Sequence, residues 1–249
     1  KDMLTIAVLA YHKTPQTALT DECVTSIDAS ILPDIPVEKV IIDNGSIPLL
    51  KPYKGWKTAR IPHNIGNIGG QNTAIMVAQH EWVLFVSNDV RVELTCIIGM
   101  WEMRRNYAQL MPTILNPNGT IQSIGGKLVY PGYGCNLTSR GELDYVPSII
   151  YLMRKELWRN CDGFDEAYPM TYEDVDMGKK LRSFVCAENC RAIHLGNTTL
   201  QYTNNKPFRL GRRMFIKKHY KGVDRWLRLM VMNVLDAITA VSSRFAGKS

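Results

Sequence analysis

The side chains able to do chemistry fall into a few short segments of the chain. Tyr11-His12-Lys13, Asp43-Asn44-Gly45-Ser46 and Ser87-Asn88-Asp89 each follow an apolar run, and two of these three turns carry a carboxylate. Tyr172-Glu173-Asp174-Val175-Asp176 sets three acids within about one helical turn, and His194 ends a further short apolar stretch. A carboxylate accepts hydrogen bonds, ligates hard cations and can take a proton, and a neutral imidazole is a metal ligand. Each group also has a plain structural use. Asp before Asn-Gly initiates turns, and acids in a first helical turn complement the macrodipole. Glu173 and Asp176 stand about 100° and 200° of rotation from Asp174, so the three acids cannot all face one ligand.

The elements that must position these residues read as an α/β protein. Residues 4–10 (LTIAVLA) are almost continuously apolar, as in a strand buried on both faces. Thr14-Pro15 opens a helix whose expected stripe is Leu19, Cys23, Ile27 and Ile31. Strands are expected at 40–42, 57–61 and 81–86, with a helix over 69–79 after a Gly/Asn-rich loop. Such an order argues an open sheet with helices on its faces, and ligands collect beyond the carboxyl ends of its strands. The loop 64–72 lets backbone approach a ligand closely, and a helix from Gly69 would aim its amides there. Residues 107–146, rich in Gly, Pro and Asn, read as short strands and long loops. A strand over 148–153, a helix over 154–160, a helix from 172 or 173 to about 183 and a last strand at 191–195 follow. From Lys206 the chain reads as helical.

Composition is that of an ordinary globular chain: 249 residues, 45% hydrophobic and 21% charged, which excludes disorder and collagen-like repeats. The formal charge of +7 comes from the stretch 206–228, where nine Lys and Arg meet only Asp224, and it favours anionic partners. Six dispersed cysteines are expected as reduced thiols in a cytoplasmic protein. Cys186 and Cys190 alone make a weak zinc signal, and the sequons at Asn44, Asn118, Asn136 and Asn197 would matter only in a secreted eukaryotic chain. No signal peptide is expected, and no apolar run reaches the roughly 18–20 residues of a membrane span.

Four segments in order resemble the family 2 glycosyltransferases: VLAYHK with VIIDNGS, NIGNIGGQNTAI, LFVSNDV, and the stretch 162–199 from DGFDEAYPMTYEDVD to HLGNTT. The resemblance covers roughly residues 3–220. It implies the GT-A fold, a Rossmann-like mixed sheet flanked by helices, and inverting, metal-dependent sugar transfer from a nucleotide diphosphate donor, expected to be UDP-linked, to an acceptor hydroxyl on a glycan or polymer. By the same resemblance Asp43 contacts the nucleoside, and Ala10, Tyr11, Asn64, Gly66, Gly70, Asn72, Ser87 and Asn88 line the nucleotide-sugar site. Asp89 stands for the D-x-D signature and His194 is the distant metal ligand. A carboxylate with an imidazole suits Mn2+ somewhat better than Mg2+. Asp174 is the implied base, with Glu173 and Asp176 beside the acceptor. Two departures stand out: Ser87 replaces an acid, and Asp162, preceded by Cys161, replaces the first glycine of G-G-F-D-E. Residues 106–147 match nothing in the family.

The implied organisation is a catalytic unit over 1–205, with a nucleotide-sugar half 1–105 and an acceptor half 106–205, and a basic helical extension over 206–249. Val223, Trp226, Leu227, Met230, Val231, Val234, Leu235, Ile238 and Val241 give that extension an amphipathic pattern. Packing on the catalytic unit, peripheral contact with a membrane, and a grip on DNA with hydroxymethylated bases as acceptor all fit it. Nucleotidyl transfer and a non-catalytic nucleotide-sugar or nucleic-acid binding module remain as alternative functions.

Overall fold

The computed structural model describes residues 2–14, 17–196 and 206–246, the last eight of these by backbone alone. Pro15, Asn197 and Thr198, the side chain of Val241 and the 205/206 boundary therefore lie outside the described residues or at their edge. In chain order the elements are β1 (Leu4–Ala10), α1 (Ala18–Ala29), β2 (Val37–Asn44), β3 (Lys57–Ile61), α2 (Gly66–Val77), β4 (Trp82–Ser87), β5 (Val90–Val92) and α3 (Cys96–Met103). After a 3-10 turn come β6 (Gln109–Leu115), β7 (Ile121–Ser123), β8 (Gly126–Val129), β9 (Tyr133–Asn136), β10 (Ile150–Arg154), α4 (Lys155–Asn160), α5 (Glu173–Leu181), β11 (Phe184–His194), α6 (Lys206–His219) and α7 (Gly222–Ala246).

One mixed sheet takes the order β3-β2-β1-β4-β10-β6-β11-β5, with β7 on β6. The fully buried β1 sits between two parallel partners, β2 and β4, which is why its sequence is apolar at both alternating faces. Strand order reverses at β1, so a crevice opens beyond the carboxyl ends of β1, β2 and β4. β10 then runs antiparallel between β4 and β6 and brings the chain before Ile150 to that same end. The expected α/β class is the observed one.

Several sequence expectations shift in detail. The stripe of α1 is Thr20, Cys23, Val24 and Ile27, while Leu19 and Ile31 are exposed. Residues spaced by four drift about 40° per step, so the ends of a four-spaced row swing off the buried face. The α2 helix begins at Gly66, three residues before the expected start. Gly66 has φ +84 and a non-glycine residue there would be strained. Within the loop-rich middle, β6 is a seven-residue core strand, and β11 runs eleven residues with an irregularity between Ala187 and Arg191. All six thiols are free. Among the described residues no helix is long and apolar enough to cross a membrane.

Gly45 fixes how the second loop approaches the sheet. Its φ is +80, and a Cβ there would lie 2.3 Å from the backbone nitrogen of Asn64. Gly45→Ala is therefore expected to destabilise the chain by at least ~1 kcal/mol, read by urea denaturation, because it adds a left-handed strain to a backbone clash.

Candidate active site

Asp43, next to the last residue of β2, lies beside Ala10, its register partner on β1, and is 1% exposed. Its Oδ1 accepts the Ser46 amide at 3.0 Å, and Arg60 from β3 donates to Oδ2. Burial works to raise this carboxyl. The Ser46 hydroxyl and amide and the Arg60 guanidinium outweigh it and hold the group below the usual aspartate range. Asn44 next to it clamps the following loop: its Oδ1 accepts the Ile65 amide at 3.1 Å, and its Nδ2 donates to the Gly66 carbonyl at 3.0 Å. Asn64 Oδ1 accepts the Gly66 amide at 2.7 Å, which completes the entry to α2.

Two residues expected to line the donor site have structural contacts. Gly70 lies against Leu9, and a Cβ there would come within 2.6 Å of the leucine side chain. Asn72 uses its whole amide on the segment 158–166: Oδ1 accepts from Trp158 and the Phe164 amide, and Nδ2 donates to the Phe164 carbonyl and Glu166.

Beyond β4, the Ser87 amide donates to the Ile149 carbonyl and the Asn88 amide to the Leu9 carbonyl. Asn88 Nδ2 donates to Thr20 Oγ1 at 2.8 Å, and His12 Nε2 shares that hydroxyl at 2.7 Å, while Tyr11 stays half-buried at the mouth of the crevice. Asp89 turns the other way. Its Oδ2 lies 3.1 Å from His194 Nε2, a contact spanning 105 residues that follows from the antiparallel pairing of Val90 with His194. Gln122 holds the other ring nitrogen of His194. Gly196 makes room: a Cβ there would sit 2.2 Å from Asp89 Oδ2.

The Asp89–His194 pair fits a divalent cation in donor chemistry and spacing. Two ligands at about 2.1 Å and right angles around an octahedral ion stand about 3 Å apart. No group of three His, Cys, Asp or Glu side chains is assembled among the described residues, so these two cannot by themselves complete a cation's shell.

Asp174, half-buried, is the second residue of α5, and Tyr172, just before the helix, has a φ of +81 that is exceptional for an aromatic residue. Tyr172 is held there by its hydroxyl, which donates to the Gly132 carbonyl at 3.0 Å and accepts the Gly134 amide at 3.3 Å. Burial raises the Asp174 carboxyl well above the aspartate range, although the Val175 and Ser148 amides work against it. Because Ser148 adjoins Ile149, the partner of Ser87, Asp174 belongs to the same end of the sheet as Asp89. Glu173 turns into the core, 3% exposed, where Gln71 Nε2 donates to its Oε1 at 3.2 Å and Tyr151 in turn donates to Gln71. Its Oε2 has no hydrogen-bond partner among the described residues. Burial and then the Asp174 charge push its carboxyl upward. Asp176 faces a third way, 1% exposed, and accepts from Tyr168, Lys218 and His219 at 3.1, 2.9 and 2.6 Å. The expectation of both acids beside an acceptor thus meets a buried Glu173 and an Asp176 engaged with α6.

Sequence reasoning passed over Arg60, Thr20, Gln71 and Gln122, and it treated His12 and Asn44 only as turn residues. Thr20 and Gln71 sit inside helices, and nothing in their local spacing marks them.

The fold is GT-A-like. GalNAc-T7, solved with UDP, GalNAc and Mn2+, is 11% identical with a TM-score of 0.64, over 86% of this chain and 48% of that one. A 1-349 fragment of S. aureus TarS is 16% identical with a TM-score of 0.60, over 89% and 68%. The same fragment in complex with UDP-GlcNAc gives 17% and 0.59. This chain thus spans about half of the GalNAc-T7 structure, and the likeness at these identities is one of fold. No protein-family model and no curated protein matches the sequence.

The buried Glu173 yields a test with a definite sign. Its folded-state pKa is raised, so the folded chain holds a proton that the unfolded chain releases, and stability falls as pH rises from the ordinary glutamate range through the raised value. Glu173→Gln is expected to be more stable than the parent by at least ~1 kcal/mol near about pH 8, with the difference closing toward about pH 4, as read by denaturation at each pH.

Proposed function

We propose that this chain is an inverting, divalent-cation-dependent glycosyltransferase that uses a nucleotide diphosphate sugar, with UDP as the favoured nucleotide. The observation that carries the reading is the meeting of Asp89 with His194 at the crevice where strand order reverses, with Asp174 at the same end of the sheet. The UDP named with GalNAc-T7 and with TarS supports the choice of nucleotide.

In this reading Asp43, held ionised and oriented by Arg60 and Ser46, accepts hydrogen bonds from the base or ribose of the donor. Ala10 and Tyr11 flank it at the end of β1, and the loop that Asn44 holds lines the same pocket through Asn64 and Gly66. Ser87 and Asn88 form the floor, with Asn88 held by Thr20 and the Ser87 amide by the Ile149 carbonyl. Asp89 and His194 would hold Mn2+ or Mg2+, which supplies positive charge to the leaving diphosphate. Asp174 removes the proton from the acceptor hydroxyl as that oxygen bonds to the anomeric carbon. The bond from that carbon to the diphosphate oxygen breaks with its electron pair staying on the diphosphate, and the anomeric centre inverts. The acceptor is a hydroxyl of a glycan or polymer. Burial of Glu173 favours its neutral form, which in this reading keeps a second negative charge away from the base.

Calorimetric titration with UDP, GDP, CDP and dTDP, each with Mn2+ and again with chelator, is expected to show metal-dependent binding of UDP. Absence of binding by folded protein to all four contradicts the reading. Asp174→Asn is expected to lower turnover by at least ~100-fold with donor affinity unchanged. Because burial raises the Asp174 carboxyl, the acid limb of the parent's rate profile should lie above the ordinary aspartate range. Near-normal turnover in the variant removes Asp174 from the role.

A further inference from the structure

Helix α7 presents to solvent a face that a folded chain ordinarily buries. Val223, Trp226, Leu227, Met230, Val234 and Ile238 are all exposed, Val223 at 73% and Trp226 at 62%. On an ideal helix these six positions share an arc of about 120°. The opposite side is spent on the rest of the protein: Met232 is buried, Asp236 pairs with the buried Arg212 at 2.7 Å, and Arg228 donates to the Pro131 carbonyl and stacks on Tyr220. The stripe therefore looks directly away from the body, and it contains no charged residue.

A ridge of cations borders it. Arg209, Arg213 and Lys217 stand four residues apart on α6, and Arg213 donates to Asn233 of α7, whose position adjoins the stripe. The Arg212–Asp236 and Arg213–Asn233 contacts make the two helices antiparallel, so the ridge runs along the stripe. None of the three cations has a carboxylate partner among the described residues.

We infer that the α6–α7 pair is a docking face for an anionic lipid surface, with the stripe entering the headgroup boundary and Arg209, Arg213 and Lys217 meeting lipid phosphates. A nucleic acid would engage the ridge and leave the stripe in water. A second copy of the chain would cover the stripe, but the same surface offers the cations no free acid, since Asp224 is bound to Arg228 and Asp236 to Arg212. The face is coupled to the site: Lys218 and His219 of α6 grip Asp176, two residues from Asp174. If the transferase reading holds, an acceptor displayed at that lipid surface is the kind the site would meet. The docking itself does not depend on that reading.

The test is flotation of the whole chain with phosphatidylcholine vesicles, with and without about 30% phosphatidylglycerol. Binding is expected only with the anionic lipid and should weaken with salt. Arg209→Gln with Lys217→Gln should lower partition about 25-fold, near fivefold for each cation removed. Trp226→Ser with Met230→Ser and Val234→Ser should abolish it while circular dichroism and melting stay those of the parent. No partition onto anionic vesicles overturns the inference. So does partition that the serine substitutions leave unchanged. Sedimentation showing a dimer that those substitutions dissociate assigns the stripe to a second copy, and duplex DNA binding lost only with the ridge, without vesicle binding, assigns it to nucleic acid. Vesicle binding in a chain that fails to bind any nucleoside diphosphate would sustain this inference and sink the transferase reading, and the converse result would do the opposite.

Discussion

The antiparallel pairing of Val90, Arg91 and Val92 with His194, Ile193 and Ala192 holds the site together. Three residues of strand join a turn at the middle of the chain to the end of the last strand, and Asp89 meets His194 only because of it. The seam is built to last. Val90, Val92 and Ala192 are buried, the Glu93 amide donates to the Arg191 carbonyl, and the Leu195 amide donates to the Asp89 carbonyl. Gly196 keeps the approach open where any side chain would displace the carboxylate. β11 is in turn held by β6 through most of its length, so the position of the histidine depends on a strand outside the parallel group of β1, β2 and β4.

Around that seam, environment divides the labour among four acids of similar intrinsic strength. Asp43 and Asp176 are both buried, and both stay ionised because cations and donors surround them: Arg60 and Ser46 for one, Lys218 and His219 for the other. Glu173 and Asp174 share one helix turn and have no cation beside them among the described residues, so burial drives both upward. Such a split leaves one pair of carboxyls held ionised and the other pair raised toward neutral pH. Tyr172, held in a left-handed conformation by two hydrogen bonds to the β8–β9 hairpin, sets where the second pair begins.

The sheet and its polar end were legible because apolar runs such as 4–10 and 81–86 have few other uses, and because turns after parallel strands gather at one end. Asp89 and His194 were legible as candidates through the family resemblance of the segments that carry them, though not their distance, which β5 sets through long-range pairing. The acids of α5 were separable by helical rotation alone, and Glu173 and Asp176 do face away from Asp174. What sequence could not supply was the use of amide side chains. Asn72 and Gly70 look like ligand-facing residues of a Gly/Asn-rich loop, yet one pins 158–166 and the other admits Leu9. Arg60 comes from a strand whose alternation is weak, so nothing local marks it as the partner of Asp43. The stripe of α7 reads the same in sequence whether it packs inward or outward, and only the contacts of Met232, Arg228 and Asp236 fix its direction.

The most direct test of the account is pulsed electron paramagnetic resonance of Mn2+ bound with UDP, read for coupling to an imidazole nitrogen. The account predicts that this coupling is present in the parent chain and lost in His194→Gln, with weakened Mn2+ affinity in Asp89→Asn. Mn2+ bound together with UDP but without any nitrogen coupling in the parent would contradict the joining of Asp89 and His194 on one cation, and with it the placement of the leaving group at that end of the crevice.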